Sequence, residues 1–535
     1  MISLARLAYK AGTIRILVRA GVLRPGRPDR MLRAGYTFAR VGPTLAGGVA
    51  IAASRHPHAT AVIDERGAVT WQELDERTNA LARGFGAAGL RADDGIAVFC
   101  RNHRGIVEST IAADKLGLTA LYLNTMFAAP QIADVCGREA PAALVYDEEF
   151  APAVADAARD LRRFVAWVDD ERETSDPTLE ELIAAGGRGE LPGPRRPGRV
   201  VILTSGTTGR PKGARRHQPA SLDPVASLFD RIPYRTRETT LVAAPLFHSW
   251  GMLNFAFGLS LGSTFVLRRR FDPETVLADV ARHRCTALVV VPTMLQRMLD
   301  LPKEALARYD TSSLRIVGAS GGALPGDLAL RVMDQLGDVL YNFYGSTEVA
   351  WVAIATPADL RAAPGTAGRP PRDTTVKIVD EAGDELPAGR TGRIFARNEM
   401  VFQGYTDGAA KESLGPLMAT GDVGHLDEAG RLFIDGRDDD MIVSGGENVF
   451  PREVEDLLAG HEHVHDVAVV GVDDPGWGQR LRAYVVAAPR TNPSEDDLKE
   501  YVRQRLARYK VPRDVVFVDE LPRNATGKIV KRTLG

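Results

Sequence analysis

The sequence predicts an α/β protein. Parallel sheets flanked by helices form a large, multi-subdomain N-terminal domain with a small β-subdomain, followed by a small α+β C-terminal domain. Three observations carry this. From about residue 50, short β-branched apolar runs alternate with amphipathic helical patterns, the rhythm of buried parallel strands covered by helices. After about residue 375 the rhythm shortens to strands and turns. At 535 residues, 44% apolar and 25% charged, the chain has ordinary globular composition but too much length for one core.

Residues 1–45 form a basic extension. Leu4, Leu7, Ala11, Ile14, Val18 and Val22 recur at spacings of three and four, so they share one side of a helix, flanked by Lys10, Arg15 and Arg19. Two readings stay open: a helix lying on an anionic membrane surface, or one docked on its own domain with solvated arginines. Residues 46–436 come next. Ala61–Asp64 reads as a strand, and Trp71–Ala88 as a helix opened by Thr70 with Glu73 three residues on, a capping box. Strands follow at Gly95–Phe99, Ala142–Tyr146, Val200–Leu203, Thr264–Leu267, Ala287–Val291 and Leu314–Val317. Shorter ones are expected at Thr375–Val379, Gly392–Ala396 and Arg431–Asp435, and residues 437–535 read as a separate βα domain.

Charge excludes little but directs attention. The 67 basic and 69 acidic residues nearly cancel, so nothing global points to nucleic acid. Yet the first 40 residues hold nine Lys or Arg against Asp29 alone. Cys100, Cys136 and Cys285 form no CxxC pair, which favours a reducing, cytoplasmic setting over a disulfide framework. Arginines and a lysine interrupt the N-terminal apolar region before a signal-peptide core can form. The charge-free run Thr239–Leu267 contains Pro245, His248, Asn254 and several glycines, and reads as buried strand, loop and helix rather than a membrane span.

The chemistry concentrates in Thr204-Ser205-Gly206-Thr207-Thr208-Gly209-Arg210-Pro211-Lys212-Gly213, directly after a strand. Four hydroxyls, three glycines, a lysine and an arginine in ten residues suit a polyphosphate, which needs amides and hydroxyls around its oxygens and positive charge beside them. It is not a P-loop, because Pro211 and Gly213 stand where that motif wants Gly and Ser/Thr.

This decapeptide resembles the signature of the adenylate-forming superfamily, which includes acyl-CoA synthetases, luciferases and peptide-synthetase adenylation domains. Further segments match in the family's order: Gly318–Pro325, Tyr344–Glu348, Thr420–Asp422, Gly436–Ile442 with Ser444–Val449, and Pro522–Lys528. The resemblance spans roughly residues 50 to 535. It implies ATP-dependent activation of a carboxylic acid to an acyl-adenylate, then transfer to the thiol of coenzyme A with release of AMP and pyrophosphate.

Roles follow from the resemblance residue by residue. Lys528 would bridge the carboxylate and the α-phosphate, where two anions meet. Glu348 would hold Mg²⁺, a hard ion suited to carboxylate oxygen, and Thr347 would touch the α-phosphate. Tyr344 would offer a face to adenine, with Gly321, Gly322 and Ala323 closing on its other side and Asn342 at its edge. Asp422 and Arg437 would bind the ribose. Asp439 falls on the hinge about which the small domain turns between half-reactions, and Gly445 and Gly446 belong to the loop it then presents to the thiol. His248 would lie beside the acyl group.

Within the family, the basic extension and the apolar run Met252–Leu259 look most like bacterial fatty-acid–CoA ligases, with medium- or long-chain acids as substrate. A fatty acyl-AMP ligase loading a carrier protein is the alternative, although its usual extra segment is not evident between residues 350 and 436. Peripheral contact with the inner membrane face and a homodimer stay open. Two motifs from other classes do not persuade. Gly318-Ala319-Ser320-Gly321-Gly322 fits a nucleophile elbow, a distant alternative in which Ser320 would serve a hydrolase. His461-Glu462-His463-Val464-His465 falls after a helix that should stop at Gly460, so its histidines are expected in a loop and not on one helix face.

Overall fold

A computed structural model describes residues 4–23, 27–169, 174–191, 196, 198–205, 211–215, 221–406, 408, 410–438, 442–444, 447–474, 478–524 and 527–534. Two parallel-containing sheets organise the large domain. The first has eight strands in the order Ala353–Ala355, Leu340–Tyr344, Ile316–Ala319, Ala287–Val290, Thr239–Val242, Thr264–Leu267, Thr60–Asp64 and Gly67–Thr70. Its inner strands run parallel and its two edge strands antiparallel. The second has seven, in the order Gly404–Tyr405, Pro211–Arg215, Arg199–Ser205, Thr119–Tyr122, Gly95–Phe99, Ala143–Asp147 and Arg162–Trp167.

One helix shows how the two sheets are joined. Trp71–Ala87 is opened by the expected capping box, with the Glu73 amide donating to Thr70 Oγ1 at 3.2 Å and the Thr70 amide to Glu73 Oε2 at 2.7 Å. Trp71 packs edge-on to Phe265 of the first sheet, and Phe85, nearly four turns on, packs against Phe164 of the second. Both side chains are fully buried. Each contributes on the order of 2–3 kcal/mol of apolar burial to the interface between the sheets.

Two smaller sheets follow. Thr375–Val379, Gly392–Arg397, Leu417–Leu426, Ser413–Leu414 and Leu432–Arg437 form an antiparallel sheet with its own core around Ile378, Ile394 and Leu432. Glu447–Val449, Ile442–Ser444, Gly478–Ala487 and Val464–Asp474 form the last, with Asp514–Phe517 parallel beside Gly478–Ala487. The helices Pro451–Ala459 and Glu495–Arg503 supply Val454, Leu458, Leu498 and Val502 to its core.

The strand expected at Leu314–Val317 lies two residues further on, at Ile316–Ala319. A turn consumes its start: the Ser312 amide donates to Asp310 Oδ1 at 2.9 Å and the Leu314 amide to the Thr311 carbonyl at 3.0 Å. The charge-free run resolves into a strand, the helix Ser249–Leu261 and a second strand. No helix among the described residues is long and apolar enough to cross a membrane.

The N-terminal region forms three helices, α1 (Leu4–Ala20), α2 (Pro28–Val41) and α3 (Leu45–Arg55). α1 docks on the helix Asp223–Arg231: Lys10 pairs with Asp223, Thr13 Oγ1 donates to Asp223 Oδ1 at 2.9 Å, and Arg19 donates to the Phe229 carbonyl at 3.2 Å. Thr13, Ile16, Leu17 and Ala20 face inward. Ala11, Ile14 and Val18, from the stripe picked out by spacing, face solvent.

Candidate active site

Eight of the candidate residues (His248, Gly321, Gly322, Ala323, Asn342, Tyr344, Thr347 and Glu348) gather at the carboxyl ends of the first sheet's strands, where open α/β sheets bind ligands because loops diverge and helix N-termini converge there. Ile316–Ala319 runs into Ser320–Ala323, and the adjacent parallel strand Leu340–Tyr344 runs into Gly345–Glu348. Gly321 adopts φ +87°, which its lack of a side chain permits. Gly321, Gly322 and Ala323 are exposed. Asn342 is buried and donates to the Thr366 carbonyl at 3.3 Å.

Tyr344 joins this edge to the β-subdomain. Its hydroxyl donates to Asp422 Oδ2 at 2.5 Å, and Arg437, paired with Asp422 across the antiparallel ladder, approaches Asp422 Oδ1 at 3.5 Å. Burial pushes the Asp422 carboxyl up, opposed by the Tyr344 hydrogen bond and by the charges of Arg437, Lys528 and Lys411. Burial and the adjacent Asp422 likewise raise the Tyr344 phenol far above its usual range, so it remains a donor.

Glu348 is 8% exposed and accepts from Ser346 Oγ at 2.7 Å and from the Tyr405 hydroxyl at 2.8 Å. Burial opposes its ionisation, but those hydrogen bonds and the Lys411 charge win and hold it below the usual carboxylate range. Tyr405 sits on Gly404–Tyr405, which pairs with Pro211–Arg215 of the phosphate loop; Lys212 Nζ lies 5.4 Å from its ring centroid. Glu348 therefore touches the second sheet through one tyrosine. An ionised carboxylate among the hydroxyls of Ser346, Thr347 and Tyr405 is a hard oxygen donor set that fits Mg²⁺.

His248 precedes the helix Ser249–Leu261, and Ser249 Oγ lies 3.0 Å from Thr347 Oγ1, which ties that helix to the phosphate edge. The residue as a whole is half-buried, but its Nε2 is sealed from solvent with no hydrogen-bond partner. Burial pushes its pKa down to about 4, so the ring is neutral near pH 7. Of the apolar run after it, Met252, Phe255 and Leu259 are core, with Phe255 packed on Phe265.

Lys528 comes from the C-terminal domain. It is exposed in a tight loop, its amide donating to Asn524 Oδ1 at 2.9 Å and the Gly527 amide to the Asn524 carbonyl at 2.8 Å. Gly527, at φ +76°, presses so closely on Thr293 that a Cβ there would lie 2.1 Å from Thr293 Oγ1. Thr293 opens the helix Pro292–Leu299 at the same edge of the first sheet, and the Lys528 charge is felt at Asp422.

Gly206, Thr207, Thr208, Gly209, Asp439, Gly445 and Gly446 lie outside the described residues, as do the side chains of Thr204 and Ser205. Tyr405, Lys411, Ser249 and Thr293 were not singled out from sequence. Tyr405 and Lys411 sit in an irregular stretch without a local pattern, and only the fold brings them to Glu348 and Asp422.

The competing motifs find no support. No hydrogen bond joins Ser320 to a histidine among the described residues; His425 instead pairs with Asp435 at 3.0 Å and stacks on Phe433. His461 and His463 follow the end of the helix Pro451–Ala459 in the expected connecting loop, whereas His465 lies not in that loop but on the strand Val464–Asp474, which begins earlier than expected, so the two motif histidines share no helix face. Cys100, His103 and Asp147 cluster in the core, but both His103 nitrogens are engaged, with the Gly105 amide at 3.0 Å and with Asp147 at 2.8 Å.

Comparison with known proteins fits this geometry. Residues 49–406 match the AMP-binding enzyme family and residues 453–528 its C-terminal domain. The chain belongs to that family of adenylate-forming enzymes, which use ATP, Mg²⁺ and, in the CoA ligases, coenzyme A. Feruloyl-CoA synthase of Amycolatopsis sp is 35% identical, covering 89% of this chain and 95% of its own length. Indoleacetate–CoA ligase of Aromatoleum aromaticum is 32% identical over 90% and 95%. The fatty acid–[acyl-carrier-protein] ligase ScoC of Streptomyces coeruleorubidus is 31% identical over 92% and 96%. Among solved structures, the amide bond synthetase McbA of Marinactinospora thermotolerans superposes with a TM-score of 0.81 at 29% identity, covering 94% of this chain and 99% of that one.

Proposed function

We propose that this protein is an acid–CoA ligase that adenylates an apolar, most readily aromatic, carboxylic acid. The observation that carries the reading is the convergence of Tyr344, Glu348, Asp422 and Arg437 at one sheet edge, with Lys528 delivered to it by a second domain.

In the first half-reaction a carboxylate oxygen attacks the α-phosphorus of ATP, the bond to the β-phosphate breaks, and pyrophosphate leaves with its electron pair. Lys528 supplies positive charge where the two anions meet, and Thr347, tied to Ser249, supplies a hydroxyl beside the α-phosphate. Glu348, kept ionised by Ser346 and Tyr405, would hold Mg²⁺, which would supply positive charge against the phosphates. The adenosine lies on Tyr344, between the Gly321–Ala323 loop and the Asp422–Arg437 pair, which holds the ribose. In the second half-reaction a thiol sulfur attacks the acyl carbonyl, AMP departs, and the thiol proton passes to solvent. Turning of the small domain about Asp439 would withdraw Lys528 and bring up Gly445 and Gly446. Residues 1–45, 46–436 and 437–535 are the corresponding units.

The aromatic preference rests on the feruloyl and indoleacetate relatives. A fatty acid is the second reading, supported by the ScoC relative. The run Met252–Leu259 gives it no separate support: Met252, Phe255 and Leu259 are core, and the half-buried Leu253 and Phe257 pack against that core. Carboxylate-dependent ATP–pyrophosphate exchange over cinnamic, indolic, benzoic and C2–C18 alkanoic acids tests the choice. Exchange strongest with an aryl acid supports the first reading, and a maximum within the alkanoic series replaces it with the second. Product analysis with CoA, a carrier protein or an amine then names the acceptor.

A further inference from the structure

The first two N-terminal helices leave large apolar side chains facing outward. Twelve large apolar side chains are exposed among the described residues, and seven of them (Ile14, Val18, Leu23, Met31, Leu32, Tyr36 and Phe38) fall within the first 40 positions. In α2 the usual arrangement is inverted. Thr37 is its buried residue, with Arg30, Ala34 and Val41 half-buried on that same side, and Arg30 donates to the Arg55 carbonyl at 3.0 Å where α3 ends. Leu32, 77% exposed, and Tyr36, 66% exposed, stand on the opposite side with Met31, Phe38 and Ala39. α1 is not inverted, since it buries Ile16, Leu17 and Ala20, but Ile14 and Val18, each 54% exposed, point outward beside Arg15 and Arg19.

An outward apolar face of this size is a docking surface. Its charge identifies the occupant. Arg15, Arg19, Arg27, Arg33 and Arg40 are exposed along it; Arg27 pairs with Asp29, the acid on these helices, and Arg19 and Arg40 lie 3.7 Å from Asp230 and 3.4 Å from Glu190 of neighbouring elements. A second copy pairing through the same face would set arginines against arginines about a twofold axis. A bilayer carrying anionic headgroups satisfies both features: apolar side chains enter the headgroup–acyl boundary while arginines meet phosphates.

We infer that α1 and α2 form a peripheral membrane-docking surface for anionic phospholipid bilayers. This does not depend on which acid is the substrate. The face lies over the acyl side of the molecule: α3, which carries α2, touches Leu259 of the helix Ser249–Leu261 through Gly48, and the other end of that helix begins at His248. An acid partitioned into the bilayer would thus be concentrated on the side of the enzyme that receives it.

Vesicle co-sedimentation of the full-length protein tests the inference, using phosphatidylcholine alone and phosphatidylcholine mixed with phosphatidylglycerol. Binding is expected to the mixed vesicles, weakening as salt rises. L32S/Y36S and, separately, R15E/R33E should each lower partitioning by about tenfold or more. Thermal melting and ATP–pyrophosphate exchange in detergent-free buffer should stay at wild-type values, since these side chains face solvent. Equal sedimentation of wild type and both variants, or none of the wild type with either vesicle, overturns the inference. So does a wild-type dimer in velocity sedimentation that L32S/Y36S converts to monomer without any vesicle binding, which would assign the face to a second copy.

Discussion

At the scale of single residues, the site sets burial against neighbouring hydrogen bonds and charges: burial wins at Asp422 and the neighbours win at Glu348. The folded pKa of Glu348 is depressed, so its stabilisation is present above the ordinary carboxylate range and lost as pH falls through the lowered value. Tyr405→Phe removes one of its two hydroxyl donors. The expected result is a KM for Mg·ATP raised on the order of tenfold, with the acid limb of the kcat/KM profile moved to higher pH. A change in KM for the acid alone would contradict the assignment. His248 is shifted in the same direction for the opposite reason, since burial there favours the neutral form of the ring. Its folded pKa lies near 4 against an ordinary 6.5, so the unfolded chain takes up the proton first. Its contribution to stability therefore declines as pH falls from about 6.5 and is fully lost below about 4. His248→Phe should flatten that loss, read as a smaller drop in urea midpoint between pH 7 and pH 5; an unchanged drop would mean the ring is not sealed.

At the scale of elements, local signals carried some features and tertiary context carried others. The capping box at Thr70 and Glu73 was legible because both partners lie within one turn. Thr70→Ala should cost about 1 kcal/mol, measured by denaturant unfolding. The glycine-bearing segments were legible for a similar reason, since turns that approach a ligand constrain neighbouring residues together. Gly527→Ala should disturb the Lys528 loop through its left-handed backbone and the collision with Thr293. Exchange activity is then expected to fall more than tenfold with little change in the melting temperature. Tyr405 and Lys411 were not legible, because their partners are Glu348 and the Thr420 carbonyl, joined only by the fold. The N-terminal stripe shows a different limit. Periodicity says which residues share a helix face, but not whether that face turns inward, and Ile14 and Val18 turn out.

At the scale of the whole molecule, the chemistry is divided between bodies. The first sheet contributes Tyr344 and Glu348, the second the phosphate loop, the β-subdomain Asp422 and Arg437, and the C-terminal domain Lys528. On the proposed reading each anion of the reaction would be met by a group from a different unit, and closure of the units would be part of catalysis. The described arrangement, with Gly527 against Thr293 and the Lys528 charge reaching Asp422, is the one suited to adenylation. A lysine that acts only in that arrangement should matter to one half-reaction alone. The decisive measurement is therefore made on Lys528→Ala, comparing carboxylate-dependent ATP–pyrophosphate exchange with thioester formation from pre-made acyl-adenylate and CoA. The account predicts exchange reduced on the order of 10²–10³-fold or more, with thioester formation within a few-fold of wild type. Equal loss in both half-reactions, or exchange left intact, would contradict it.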